Sequence, residues 1–260
     1  MKNFAIQRFS QVLRLDLAQG MKRLLVYTAG GVLVYLFYFW FAYNIGMKVA
    51  VVNDWEQYVS NICEAVVMFS VMTMYFFFLA VASITFRHEQ KKAGRTAHLM
   101  LPATHLEKFL SRWVYMLVFS VVVGVLTFFV ADVIHMGYLW LTGKPVIAAT
   151  TYFLNNFLKD VRVDSFSYYS IMLANHAFFL LGGVLFRKFN FVLTAIVGGL
   201  LLTTALHFLT LDQPYMRFVP NAWWHTGITV LFVTLTCLFT WLAYRIYCRW
   251  QLSTRKLVNL

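Results

Sequence analysis

Two sets of polar residues in this chain stand where they could do chemistry. Glu64, Asp132, His135, His207 and His225 all fall near the ends of long apolar runs. Carboxylates and imidazoles at one depth are a donor set that could hold a metal ion and hydrolyse a lipid-like substrate. They come from four different runs, and none has the tight spacing of an H-E-x-x-H helix. The plainer reading is that polar residues near helix ends simply reach water. Asn175 and His176 form the second set, near the middle of an apolar run. Ionisable groups at that depth are functional candidates. An Asn and a neutral His also act as hydrogen-bonding glue between helices, worth about 1 kcal/mol. Asn175, His176, Glu64 and Asp132 are therefore candidates for pathway contact or for interhelical hydrogen bonding, with no metal ligand set assigned.

The elements that must position these residues follow from composition. The chain has 260 residues, of which 61% are hydrophobic, 18% aromatic and 12% charged. A soluble domain carries about 25% charged residues. Apolar runs of about 20 residues recur along the whole length, which predicts a polytopic helical membrane protein. Six spans are predicted: Leu24–Ile45, Ile62–Thr85, Trp113–Met136, Phe166–Phe186, Phe191–Leu211 and Trp224–Tyr247. Open strands would leave backbone polar groups unpaired in lipid, so the fold class is all-α, a single transmembrane domain over 1–260. Residues 1–22 are expected to form an N-terminal interfacial helix. Ile6, Phe9, Leu13 and Leu17 share one face there, and Gln7, Arg8, Gln11 and Arg14 the other. The longest outer loop is 137–165, with a surface helix expected at Thr151–Val161.

The net charge of +12 is distributed as a membrane protein distributes it. Lys48, Lys144, Lys159, Arg162 and Arg217 lie on one side of the six spans, and the rest of the 22 Lys and Arg on the other. The positive-inside rule then puts both termini in the cytoplasm of a multi-pass cell-membrane protein. The same distribution argues for a lipid bilayer and against nucleic acid as the partner of this charge. The three cysteines form neither a CxxC nor a zinc spacing.

The longest charged interval is the inner segment 87–112, between the second and third spans. Thr96 can begin a short helix, and Leu99, Met100 and Leu101 give it an apolar patch. Pro102 ends it, because the ring removes a backbone donor and pushes the preceding residue out of helical geometry. Thr104 is placed to cap the next helix, with Glu107 three residues on completing a capping box. Leu106, Phe109 and Leu110 carry that helix into the third span. The predicted local structure is a helix–break–helix elbow beneath the membrane.

This elbow, with the six spans and the N-terminal helix, resembles the permease subunits of ABC-2-type ATP-binding-cassette transporters. Their corresponding loop carries a signature close to Glu-x-Gly-Thr, a Leu-rich stretch, a Leu-Pro or Thr-Pro pair and a capped helix. The matching residues are Gly94, Thr96, Leu99, Leu101, Pro102, Thr104, Leu106 and Glu107. Arg95 separates Gly94 from Thr96, and the acid ahead of the glycine is Glu89. The resemblance implies that Gly94, Thr96, His98, Leu99, Met100, Leu101, Pro102, Thr104 and Glu107 form a coupling segment that docks on a nucleotide-binding ATPase subunit. It implies a second permease copy or homologue, and export of a substrate. ATP and Mg would be bound by the partner, with no cofactor on this chain, which would not itself be an enzyme. The sequence agrees, since its only Gly-Lys pair, Gly143-Lys144, is followed by Pro145 rather than completing a phosphate-binding loop. The aromatic-rich spans fit an amphipathic or lipid-like cargo. The alternatives are a membrane-embedded metal-dependent hydrolase built on the outer His, Asp and Glu residues, or an ATP-independent carrier.

Overall fold

A computed structural model describes residues 4–49, 55–87, 100–143, 146, 148–159, 165–186, 188–211 and 222–249. Among these the chain is all-helical and contains no strand. The helices are α1 (Ile6–Val49), α2 (Trp55–Ile84), α3 (His105–Leu141), α4 (Ala149–Lys159), α5 (Ser165–Leu185), α6 (Asn190–Leu211) and α7 (Ala222–Arg249). Five of them, α1, α2, α3, α5 and α7, hold stretches long and apolar enough to cross a membrane. In α6 the described apolar stretch is the shorter Asn190–Leu201.

The segment expected to form an interfacial helix at 1–22 and the first expected span, from Leu24, are joined in one helix: α1 runs without a break for 44 residues from Ile6, with its membrane-length apolar stretch at Leu25–Asn44. No proline interrupts it, and Gly20, the glycine nearest the expected boundary, costs only about 1 kcal/mol in a helix interior. In the expected outer loop 137–165, where a surface helix was expected at Thr151–Val161, the structure has α4 over Ala149–Lys159. The third helix continues to Leu141, and α4 starts at Ala149.

The chain divides into two compact units. The first gathers Met1–Asp16, Leu79–Met116 and Val163–Leu260. In it α5 packs against α7 and α6. The buried cluster is Ala82, Phe86, Phe109, Leu180, Val184, Ala243 and Tyr247. Where α2 ends, backbones approach closely. A Cβ on Gly183 would overlap the carbonyl oxygen of Ser83, so only glycine fits between these two helices. The Asn190 side-chain amide fixes the same junction, donating to the carbonyls of Ser83 (3.3 Å) and Gly183 (3.2 Å).

The second unit gathers Leu17–Phe78 and Leu117–Arg162. Tyr35, Phe39, Val66, Phe128 and Ala131 form its interior. Tyr35 meets Phe128 edge-on at 5.9 Å, and Phe39 stacks on His135 at 5.0 Å. Leu33, Phe37 and Phe41 point outward from the same helix and are exposed, as are Met68, Phe69 and Phe76 on α2. So much large apolar side chain facing out is a lipid-facing surface rather than a water-facing one.

Asp132 has a structural task in this unit. Fully buried on α3, it accepts from the amides of Ala149 (3.3 Å) and Thr150 (2.8 Å). These are the first two N–H groups of α4, which have no acceptor inside their own helix. A carboxylate there also complements the helix dipole. Asp132→Ala is expected to loosen the start of α4 at a cost of about 1–2 kcal/mol, the usual loss for a helix cap. Faster amide hydrogen exchange at Ala149 and Thr150, with unchanged exchange in α5, is the expected signature.

Candidate functional site

The elbow is closed at its base. Phe86 follows α2 directly, and Phe109 lies in the first turns of α3. Their rings stack 5.2 Å apart at 10°. Both also contact Tyr247 near the end of α7, at 5.1 and 5.6 Å. Each such aromatic pair adds about 0.5–1.5 kcal/mol beyond simple burial. The two ends of the segment are thus held together, and held to α7, before any polar contact is considered.

Polar contacts then tie the base of α3 to α1. Helix α3 starts where the capping box places it. The Thr104 amide donates to Glu107 Oε2 (2.7 Å), and the Glu107 amide donates to Thr104 Oγ1 (3.3 Å). The carboxylate does more than cap. Its Oε1 also accepts from the Ala5 amide (2.7 Å) and from Arg8 Nη2 (3.0 Å). Glu107 has no exposed surface, while the Arg8 side chain is 32% exposed. One turn further along, Asp16 and Arg112 form a second ion pair at 2.5 Å, both largely buried. Ser111 Oγ donates to the other Asp16 oxygen (2.8 Å), and Arg112 Nε donates to the Thr85 carbonyl at the end of α2 (3.4 Å). Charge-assisted bonds of this kind are roughly twice as strong as neutral ones.

The sequence located the cap but not the clamp. On α1 the inward positions are Arg8, Val12 and Asp16, spaced i, i+4 and i+8, with Val12 and Asp16 buried. The apolar stripe singled out above stays partly open, with Ile6 and Leu17 exposed. The available signal was one cation and one anion on each segment in complementary order, Arg8 and Asp16 on α1 against Glu107 and Arg112 on α3.

Of the expected coupling residues, Gly94, Thr96, His98 and Leu99 lie outside the described residues. Met100 and Pro102 are exposed, Leu101 and Thr104 are half-buried, and Glu107 is buried. Residues 100–104 form a bend rather than a helix, with the Ala103 amide donating to the Leu101 carbonyl (2.8 Å). This is where proline was expected to break helical geometry.

The remaining candidates do not converge. Glu64 is exposed on α2, His176 is buried in α5, and Asn175 beside it is half-buried. Asp132 already serves α4, and His135 lies against Phe39. The side chains of His207 and His225 lie outside the described residues. Among the described residues no three His, Cys, Asp or Glu side chains come together as a ligand set. Comparison with family models, curated proteins and solved structures finds no match to this chain.

Proposed function

We propose that this chain is the transmembrane permease subunit of an ABC-2-type ATP-binding-cassette exporter. It has six spans and both termini in the cytoplasm, and it works with a second permease copy or homologue. A separate nucleotide-binding ATPase binds ATP and Mg and docks on residues 94–101. The single observation that carries this reading is the closed, clamped base of the elbow. A lever must have a stiff root. Here the root is the Phe86–Phe109 stack, with Arg8–Glu107 and Asp16–Arg112 joining α1 to α3 and Arg112 reaching α2. A push on the elbow is then delivered to several helices together rather than lost in a loop. Closure of the ATPase would shift the spans between two arrangements, with the cargo carried by the difference in exposure. The amphipathic or lipid-like cargo suggested by the aromatic-rich spans belongs to the same proposal.

The experiment is purification of the tagged chain in mild detergent, with mass-spectrometric identification of co-purifying subunits and assay of ATP hydrolysis. A stoichiometric ATPase of the phosphate-binding-loop type is expected. Leu99→Asp with Leu101→Asp is expected to reduce its recovery at least tenfold while the chain still inserts and runs as a single species. Recovery unchanged by these substitutions would place the docking surface elsewhere. Absence of any ATPase across several detergents would remove the proposal.

A further inference from the structure

Most cations near the base of α3 are paired, but two others are not. Arg87, just beyond α2, and Lys188, just beyond α5, are exposed, and neither has an ion-pair partner among the described residues. They line one open cleft of about 370 Å³, together with Ile84, Phe189, Asn190 and Val192. That volume lies in the range of small-molecule sites, about 300–1,000 Å³.

The cleft is built rather than accidental. One of its lining residues is Asn190, whose side-chain amide holds the ends of α2 and α5 through the Ser83 and Gly183 carbonyls. Phe189 stands on its rim, 78% exposed and with a φ of +53°. An exposed phenylalanine in the left-handed region carries a backbone cost and persists only where its surroundings hold it there. Val192, in the first turn of α6, is also exposed. The cleft therefore brings two chemistries together. Two cations stand just past the ends of apolar helices, where the hydrocarbon gives way to headgroups, and apolar side chains stand beside them on α6.

We infer that this cleft binds an anionic glycerophospholipid, with Arg87 and Lys188 taking the headgroup phosphate and Phe189 and Val192 lying against the acyl chains. Basic side chains at a membrane surface attract anionic lipid. Two cations converging on one phosphate add geometry to that attraction. A soluble anion would use the cations but leave the apolar rim without purpose. A zwitterionic lipid would use the rim but bring its own cation against Arg87 and Lys188. This inference does not depend on the transporter reading. A carrier or a hydrolase with the same cleft would bind the same lipid.

The test is native mass spectrometry of the whole chain released from mixed micelles of phosphatidylglycerol and phosphatidylcholine. Preferential retention of phosphatidylglycerol is expected. Arg87→Gln with Lys188→Gln is expected to lower that retention on the order of tenfold, while Arg87→Lys with Lys188→Arg keeps it. Arg14→Gln with Arg249→Gln removes the same charge from exposed positions outside the cleft and is expected to leave retention unchanged. Equal retention of the two lipids would overturn the proposal, as would an equal loss in the Arg14 and Arg249 control. Displacement of the lipid by millimolar inorganic phosphate alone would show a free-anion site instead. All the substituted side chains are exposed, and a single symmetric peak on size exclusion checks that each variant remains folded.

Discussion

Arg112→Met is expected to destabilise the detergent-solubilised protein by about 3–5 kcal/mol, the usual cost of removing one partner from a buried ion pair. Asp16 would keep its charge in a buried position, with Ser111 as its remaining partner in the pair. The Thr85 carbonyl would also lose a donor. The informative variant is the double one. Arg112→Met combined with Asp16→Leu replaces the pair by two apolar side chains, and such replacements are commonly neutral or stabilising. Recovery of most of the lost stability in the double variant, read by thermal melting monitored through tryptophan fluorescence, would identify the stranded charge as the source of the damage. If the double variant melts no higher than the single one, the contribution of Arg112 lies in its packing and its bond to Thr85. Under the proposed function the double variant also separates two roles of the clamp: if it acts only through stability, ATP hydrolysis by the co-purified partner is unchanged, and if it transmits force, that hydrolysis falls while association with the partner stays intact.

Gly183→Val is expected to be at least as damaging, by a different route. The added side chain would meet the Ser83 carbonyl, carbonyl carbon and Cα, all of them backbone atoms that cannot rotate away. Overpacking of a tight interior costs about 1–3 kcal/mol and more where the backbone must move. Here the movement would separate α2 from α5 and pull Asn190 from both carbonyls it serves. Loss of the monodisperse peak in fluorescence-detected size exclusion is the expected result. Gly199→Val is the matching control, because nothing lies within 4 Å of a Cβ built there. It makes the same change in helix propensity without the collision, so its peak is expected to survive. A Gly183→Val protein that matched Gly199→Val would show that the helices can part at little cost. The cleft that Asn190 lines would then be soft rather than built.

What the sequence determined by itself is local or compositional. Apolar runs of about 20 residues with few charges have one stable arrangement in lipid, so the all-helical class was legible without coordinates. The start of α3 was legible too, because a capping box is a contact among residues three apart. Pro102 likewise acts on its own neighbours. The continuity of α1 was less legible, since an amphipathic stripe over residues 1–22 looks the same whether or not the helix continues into a span.

Only the tertiary structure decided which polar residues are partners. Arg8 looked like a solvated flank, yet it meets Glu107 across 99 positions of chain, and Asp16 meets Arg112 across 96. Asp132 looked like a metal ligand or a helix-end acid, and proved to cap α4. No periodicity within a single helix encodes such pairings, because they depend on how neighbouring helices are rotated about their axes. Burial then makes each choice consequential, since a charge or carbonyl removed from water must find its partner wherever the fold brings one.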